Sequence, residues 1–113
     1  MKTAVITGAS SGIGLAAAAE LAQNGYRIIG IGHDKARCEA AKEQIAARVP
    51  AANIVFLCGD LLHQREVERT ASGIAEILAS ENDNRLEVLI NNAGCVRSWY
   101  TTTEEGYEQQ FAL

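Results

Sequence analysis

Thr7-Gly8-Ala9-Ser10-Ser11-Gly12-Ile13-Gly14 lies between the apolar run Ala4-Val5-Ile6 and an alanine-rich stretch. A glycine-rich turn that leaves a strand and opens a helix is suited to holding an anion. Gly8 can take the tight turn. Gly12 has no Cβ, so an anionic group can approach its backbone closely, and Gly14 lets the helix press against the strand layer. The first N–H groups of the helix have no partner within it and attract a pyrophosphate, worth about 0.3–1 kcal/mol per charge and up to about 2 kcal/mol when partly buried. Gly8, Ser10, Ser11, Gly12, Ile13 and Gly14 are therefore candidate ligand contacts.

Other glycine motifs compete for the same segment. A P-loop is excluded because no Gly-Lys-Ser/Thr closes it. The Gly-x-Gly-x-x-Gly fingerprint is not met, since the spacing is Gly8-x-x-x-Gly12-x-Gly14. Gly8-Ala9-Ser10-Ser11-Gly12 does match the nucleophile elbow of hydrolases. That elbow belongs after several strands, with an acid and then a histidine following it. Here it follows the first strand, and His33 and His63 are the only histidines after it. A glycine turn with no ligand is the remaining alternative.

The elements that must position these residues alternate along the chain. Ala4–Ile6, Tyr26–Ile31, Ile54–Cys58 and Leu86–Ile90 are short apolar runs of the kind buried on both faces of a parallel sheet. Between them lie helical patterns. Ile13, Ala17 and Leu21 recur at four-residue steps before Asn24-Gly25. Ala41 and Ile45 share a face before Pro50, and Val67, Ala71, Ile74 and Leu78 step by four, three and four. Thr103-Glu104-Glu105 reads as the start of one more helix, running to Leu113. The expectation is an α/β, Rossmann-like, doubly wound parallel sheet of about four strands with flanking helices, forming a single unit over residues 1–113. Ligands of such sheets sit beyond the carboxyl ends of the strands. This directs attention to Gly32–Asp34, Gly59–Leu61 and Asn91–Gly94 as well as to the glycine turn.

With 113 residues and 48% hydrophobic content, the chain can close a core and is not composed like a disordered segment. Ten Lys and Arg against 14 Asp and Glu leave no basic stripe for nucleic acid. No run approaches the roughly 20 apolar residues of a membrane span, and Ala4-Val5-Ile6 is too short for a signal-peptide core. Cys38, Cys58 and Cys95 form no CxxC pair, so reduced thiols and a cytoplasmic location are expected. His33 and His63 each lie five positions from a cysteine, wider than the ligand pairs of structural zinc sites. No metal ligand is nominated.

The glycine turn, then Gly59-Asp60-Leu61, then Asn91-Asn92-Ala93-Gly94, closely resemble the short-chain dehydrogenase/reductase family, of the retinol-dehydrogenase-like sort. The resemblance extends over the whole chain and implies a Rossmann fold that binds NAD(H) or NADP(H). It further implies that Asp60 holds the adenine amino group, that Leu61 lies near the ring, and that Asn91, Ala93 and Gly94 belong to the segment running beneath the cofactor ribose. From the residues alone, Asp60 can equally cap the following helix, and Asn91-Asn92 can be a turn that closes the strand.

Cofactor choice depends on the end of the second strand, where an NAD enzyme places an acid on the ribose hydroxyls. Gly32 occupies the position of the family's acid, and His33 falls where NADP-preferring members carry arginine. His33, Lys35 and Arg37 together can neutralise a 2′-phosphate, whereas Asp34 reads as the N-cap of the next helix. NADP(H) is the favoured cofactor, with NAD(H) as the alternative. The family transfers hydride between cofactor and an alcohol or carbonyl with a tyrosine, a lysine four residues on and a serine. Four residues after Tyr26, Tyr100 and Tyr107 come Gly30, Glu104 and Phe111, so no catalytic residue is nominated. The expectation is the N-terminal, cofactor-binding part of a longer enzyme, itself inactive, or a non-catalytic dinucleotide-binding module. Val88-Leu89-Ile90 is expected to form an open sheet edge through which copies self-associate.

Overall fold

The computed structural model describes residues 1–80, 85–94, 103–107 and 113. Among them strand and helix alternate as β1 (Thr3–Thr7), α1 (Gly12–Gln23), β2 (Arg27–Gly32), α2 (Lys35–Arg48), β3 (Ile54–Cys58), α3 (Gln64–Ser80) and β4 (Val88–Ile90). The four strands form one parallel sheet in the order β3-β2-β1-β4. The first strand is central and the chain reverses direction of travel across the sheet after β3. That reversal opens a crevice at the carboxyl ends of β1 and β4.

Strand periodicity divides the core into two layers. Ala4, Ile6, Ile28 and Ile54 face α1 and α2, where they meet Ala18, Ala19, Ala22 and Ile45. Val5, Ile29 and Ile31 face the other way, against Leu78 of α3, with Leu57, Ile74 and Ile77 packed beside them. Both faces of β1 and β2 are covered, which accounts for their unbroken apolar runs.

Three helical expectations change in detail. In α1 the buried residues are Gly14, Ala18, Ala19 and Ala22, while Ile13 is 80% exposed. The core face is turned by one residue because close contact with the sheet requires the smallest side chains. In α3 the buried positions are Thr70 and Leu78, and Val67 and Ala71 are exposed on its flank. The segment 103–107 is a turn and not a helix start. Gly106 has φ +89°, its N–H donates to the Thr103 carbonyl at 2.9 Å, and the Tyr107 N–H donates to Thr103 Oγ1 at 3.3 Å. The rest of the expected last helix, together with Cys95, Trp99 and Tyr100, lies outside the described residues. The fourth strand, Val88–Ile90, is shorter than expected, although the Glu87 N–H still donates to the Thr3 carbonyl at 3.1 Å.

Candidate functional site

Four loops meet at the carboxyl end of the sheet, and hydrogen bonds lock them together. Asn92 and Ala93 both donate their N–H groups to Thr7 Oγ1 at 3.0 Å, and the Thr7 hydroxyl donates to the Ile90 carbonyl at 3.4 Å. The Asn92 side chain donates from Nδ2 to the Gly8 carbonyl at 3.2 Å. Ala9 N–H reaches the Ile31 carbonyl at 3.2 Å, and Gly59 N–H reaches the Gly32 carbonyl at 2.9 Å. The glycine turn is thereby fastened to β4 on one side and to β2 on the other.

Two glycines of that turn are required by geometry. Gly8 has φ +66° and Gly12 φ +56°, both in the left-handed region that side chains disfavour. At Gly14 a Cβ would overlap the Gly8 carbonyl oxygen, so α1 and the turn touch backbone to backbone. Ser11 occupies the N-cap of α1, yet its side chain makes no capping bond. The first N–H groups of α1 therefore have no cap from the Ser11 side chain, and Ser11 itself lines the crevice.

A cavity of about 570 Å³ occupies the crevice. Of the residues singled out in the sequence, Gly8, Ser10, Ser11, His33, Asp60, Leu61, Ala93 and Gly94 line it. Gly12, Ile13, Gly14 and Asn91 do not. Gly14 is buried beneath the turn, and Asn91 is exposed because the neighbouring Asn92 is the residue that turns inward. Gly12 faces open space at the head of α1 and borders a separate shallow groove between α1 and α2. Arg37, expected from the sequence to help neutralise a 2′-phosphate, lines the cavity, as does Asn92, which sequence reasoning flagged only as part of the Asn91–Gly94 segment.

Charge is sparse around the cavity. Asp34 caps α2 by accepting from the Arg37 N–H at 3.2 Å, and its other oxygen stands 3.9 Å from Arg37 Nε. Lys35 does not line the cavity. Asp60 does not cap α3, which begins at Gln64. Its carboxylate instead accepts from the Leu62 N–H at 3.1 Å, while its own N–H donates to Glu66 Oε1 at 3.2 Å. The Arg69 guanidinium, 2.7 Å from the same Glu66 oxygen, holds that carboxyl below the usual carboxylate range, helped by the Asp60 N–H. Burial raises the Cys38 thiol above its ordinary range, and the nearby Cys58, Asp34 and Glu39 act in the same direction.

Beside Asp60, His63 faces three carboxylates: Asp60 at 3.6 Å, Glu104 at 3.6 Å and Glu105 at 3.4 Å. Arg65 pairs with Glu104 at 2.7 Å. The Arg65–Glu104 pair fastens the 103–107 turn to the start of α3. No hydrogen bond joins Ser10 to His33 or His63 among the described residues, so the hydrolase-like motif forms no Ser–His pair there.

Comparison with known proteins agrees with this architecture. The family model for short chain dehydrogenase matches residues 2–112. The chain belongs to that family. It is 37% identical to human retinol dehydrogenase 13 over 112 residues, covering 99% of this chain and 32% of the relative. Mouse retinol dehydrogenase 14 is 40% identical over 122 residues, covering 99% of this chain and 35% of the relative. The chain thus spans about a third of the length of these short-chain dehydrogenase relatives. A metagenomic short-chain oxidoreductase solved in complex with NADP superposes with a TM-score of 0.70 at 34% identity, over 83% of this chain and 39% of that one. Among the described residues, no helix is long and apolar enough to cross a membrane.

Proposed function

We propose that the cavity binds a nicotinamide dinucleotide, NADP(H) in preference to NAD(H), as part of an oxidoreductase acting on an alcohol or carbonyl. The observation that carries this reading is the convergence of the glycine turn, the Asp60 turn and the Asn92–Gly94 segment on one cavity at the sheet's reversal point. Its volume falls within the roughly 300–1,000 Å³ usual for small-molecule and cofactor sites. The NADP-bound relative supports the choice of ligand class.

The residues present fit such a group. The turn from Gly8 to Ser11 and the uncapped start of α1 would receive the pyrophosphate. Asp60 and Leu61 would take the adenine, and Arg37 with His33 would meet a 2′-phosphate. Ala93 and Gly94 would run beneath the ribose. When bound, the nicotinamide ring supplies the group that accepts or gives up hydride. This chain's part is to hold and orient the adenosine and pyrophosphate. We place the protein in the cytoplasm, a reading supported by free Cys38 and Cys58.

Calorimetry with NADPH and NADH tests the proposal. Replacing Arg37 by glutamate should weaken NADPH by about tenfold or more while leaving NADH little changed, since one charge-assisted contact to phosphate is lost. Gly12→Val should weaken both nucleotides, because a β-branched residue at φ +56° strains the turn. Binding of neither nucleotide by the parent chain would sink the reading. Equal NADPH binding in the Arg37→Glu variant would remove the assignment of the 2′-phosphate.

A further inference from the structure

The corner of the cavity where β2 ends is closed by side chains approaching from α2 and the glycine turn. A Cβ placed on Gly32, the last residue of β2, would stand 2.6 Å from Cys38 Sγ, 3.2 Å from Ser10 Oγ and 3.3 Å from Ser10 Cβ. Cys38 is 4% exposed in the first turns of α2, and a helical backbone restricts χ1, so its thiol has little room to swing away. Ser10 follows Ala9, whose N–H is tied to the Ile31 carbonyl at 3.2 Å.

The acid that reads an unphosphorylated ribose belongs at the end of the second strand, about twenty residues beyond the glycine turn. That position here is Gly32. The nearby carboxylate of Asp34 is committed to its own helix through the Arg37 N–H. Resting on the dinucleotide reading of the cavity, we infer that Cys38, backed by Ser10, locks coenzyme choice against NAD(H) by occupying the volume that an acidic side chain in place of Gly32 would need. The ribose 2′ position is thereby left to Arg37 and His33. Cys38 acts through position 32 and touches no nucleotide, so it is a positioning residue. The raised pKa of its thiol keeps it a neutral filler at that corner.

The test uses the full 113-residue chain carrying Gly32→Asp, with and without Cys38→Ala, titrated with NADH and NADPH. Gly32→Asp alone should lose NADPH affinity by about tenfold or more and gain none for NADH. The double variant should bind NADH about tenfold more tightly than Gly32→Asp, the worth of one charge-assisted hydrogen bond recovered. A merely structural Cys38 would move both affinities together and leave their ratio unchanged. A preference switched to NADH by Gly32→Asp alone overturns the inference, as does a folded double variant whose ratio equals that of the single one.

If the aspartate variants fail to fold, melts of Gly32→Ala, Cys38→Ala and their combination decide. The combined loss must be smaller than the sum of the two, and simple additivity overturns the steric contact. A parent that binds neither nucleotide fails at the first titration and overturns the dinucleotide reading itself, a result distinct from either of these.

Discussion

Gly14→Ala tests the contact on which the whole site is framed. Within a helix this exchange ordinarily stabilises by about 1 kcal/mol, because glycine loses more backbone entropy than alanine. At Gly14 the sign should reverse. The new Cβ would overlap the Gly8 carbonyl oxygen and lie 2.8 Å from its carbon and 2.6 Å from Asn92 Nδ2. Backbone atoms cannot rotate out of the way, so either α1 lifts from the sheet or the turn opens. Overpacking of this kind costs about 1–3 kcal/mol, and losing the Asn92–Gly8 hydrogen bond adds about 1 kcal/mol. Set against the helix gain, the net loss is about 1–3 kcal/mol. At about 4–8 °C per kcal/mol for a small domain, the melting temperature should fall by roughly 4–24 °C.

Gly73→Ala in α3 provides the internal comparison. Its Cβ would come 3.3 Å from Leu57 Cδ1, the end of a side chain able to give, so the helix preference should prevail. That variant should melt level with the parent or a few degrees above it, within about 1 kcal/mol. Thermal unfolding followed by circular dichroism on both variants in parallel is sufficient. A Gly14→Ala protein that melts at or above the parent would refute the helix-against-turn contact. Equal losses at the two positions would show that glycine's role at Gly14 has nothing to do with that contact.

Three further outcomes are expected. Glu66 has a folded-state pKa below its ordinary value, so its contribution to stability is present at neutral pH and fades as pH falls through the carboxylate range toward the folded value. The parent's melting temperature should therefore drop more steeply in acid than that of Glu66→Gln, and superimposable profiles would contradict the Arg69 and Asp60 contacts. Iodoacetamide at neutral pH should label exposed Cys58 in the folded chain and reach buried Cys38 only on unfolding, as peptide mapping would show. Leu89 is 54% exposed on the edge strand β4, and copies should associate through that edge. Leu89→Lys should reduce the association in sedimentation across a concentration series, and a parent that stays monomeric at every concentration would end the idea.

The sheet was legible because its strands are apolar on both faces, a pattern that few other arrangements produce at this length. The α1 register was not. Its interior is nearly all alanine, so periodicity carries little phase information, and Ile13 was the conspicuous apolar residue in the stretch. Backbone contact favours the smallest residue, so Gly14 took the inward position and Ile13 was turned 80% exposed. A hydrophobicity count cannot anticipate that, because what is selected there is the absence of a side chain.

The site shows the same division. The glycines and Asp60 stand out by type and by position at strand ends. Asn92 and Thr7 act through a geometry formed only when residues 85 positions apart are brought together by the β1–β4 pairing. At Thr103-Glu104-Glu105, helix-start chemistry competes with tertiary partners that local sequence does not contain. Arg65 draws Glu104 toward α3, Thr103 and Tyr107 bond to one another, and Gly106 can take the positive φ that a reversing chain needs. Local preference for a helix start is worth about 1 kcal/mol. A surface ion pair worth up to about 1 kcal/mol, together with the Thr103–Tyr107 hydrogen bonds and a glycine free to turn, offsets it, so the segment folds back on itself beside Asp60.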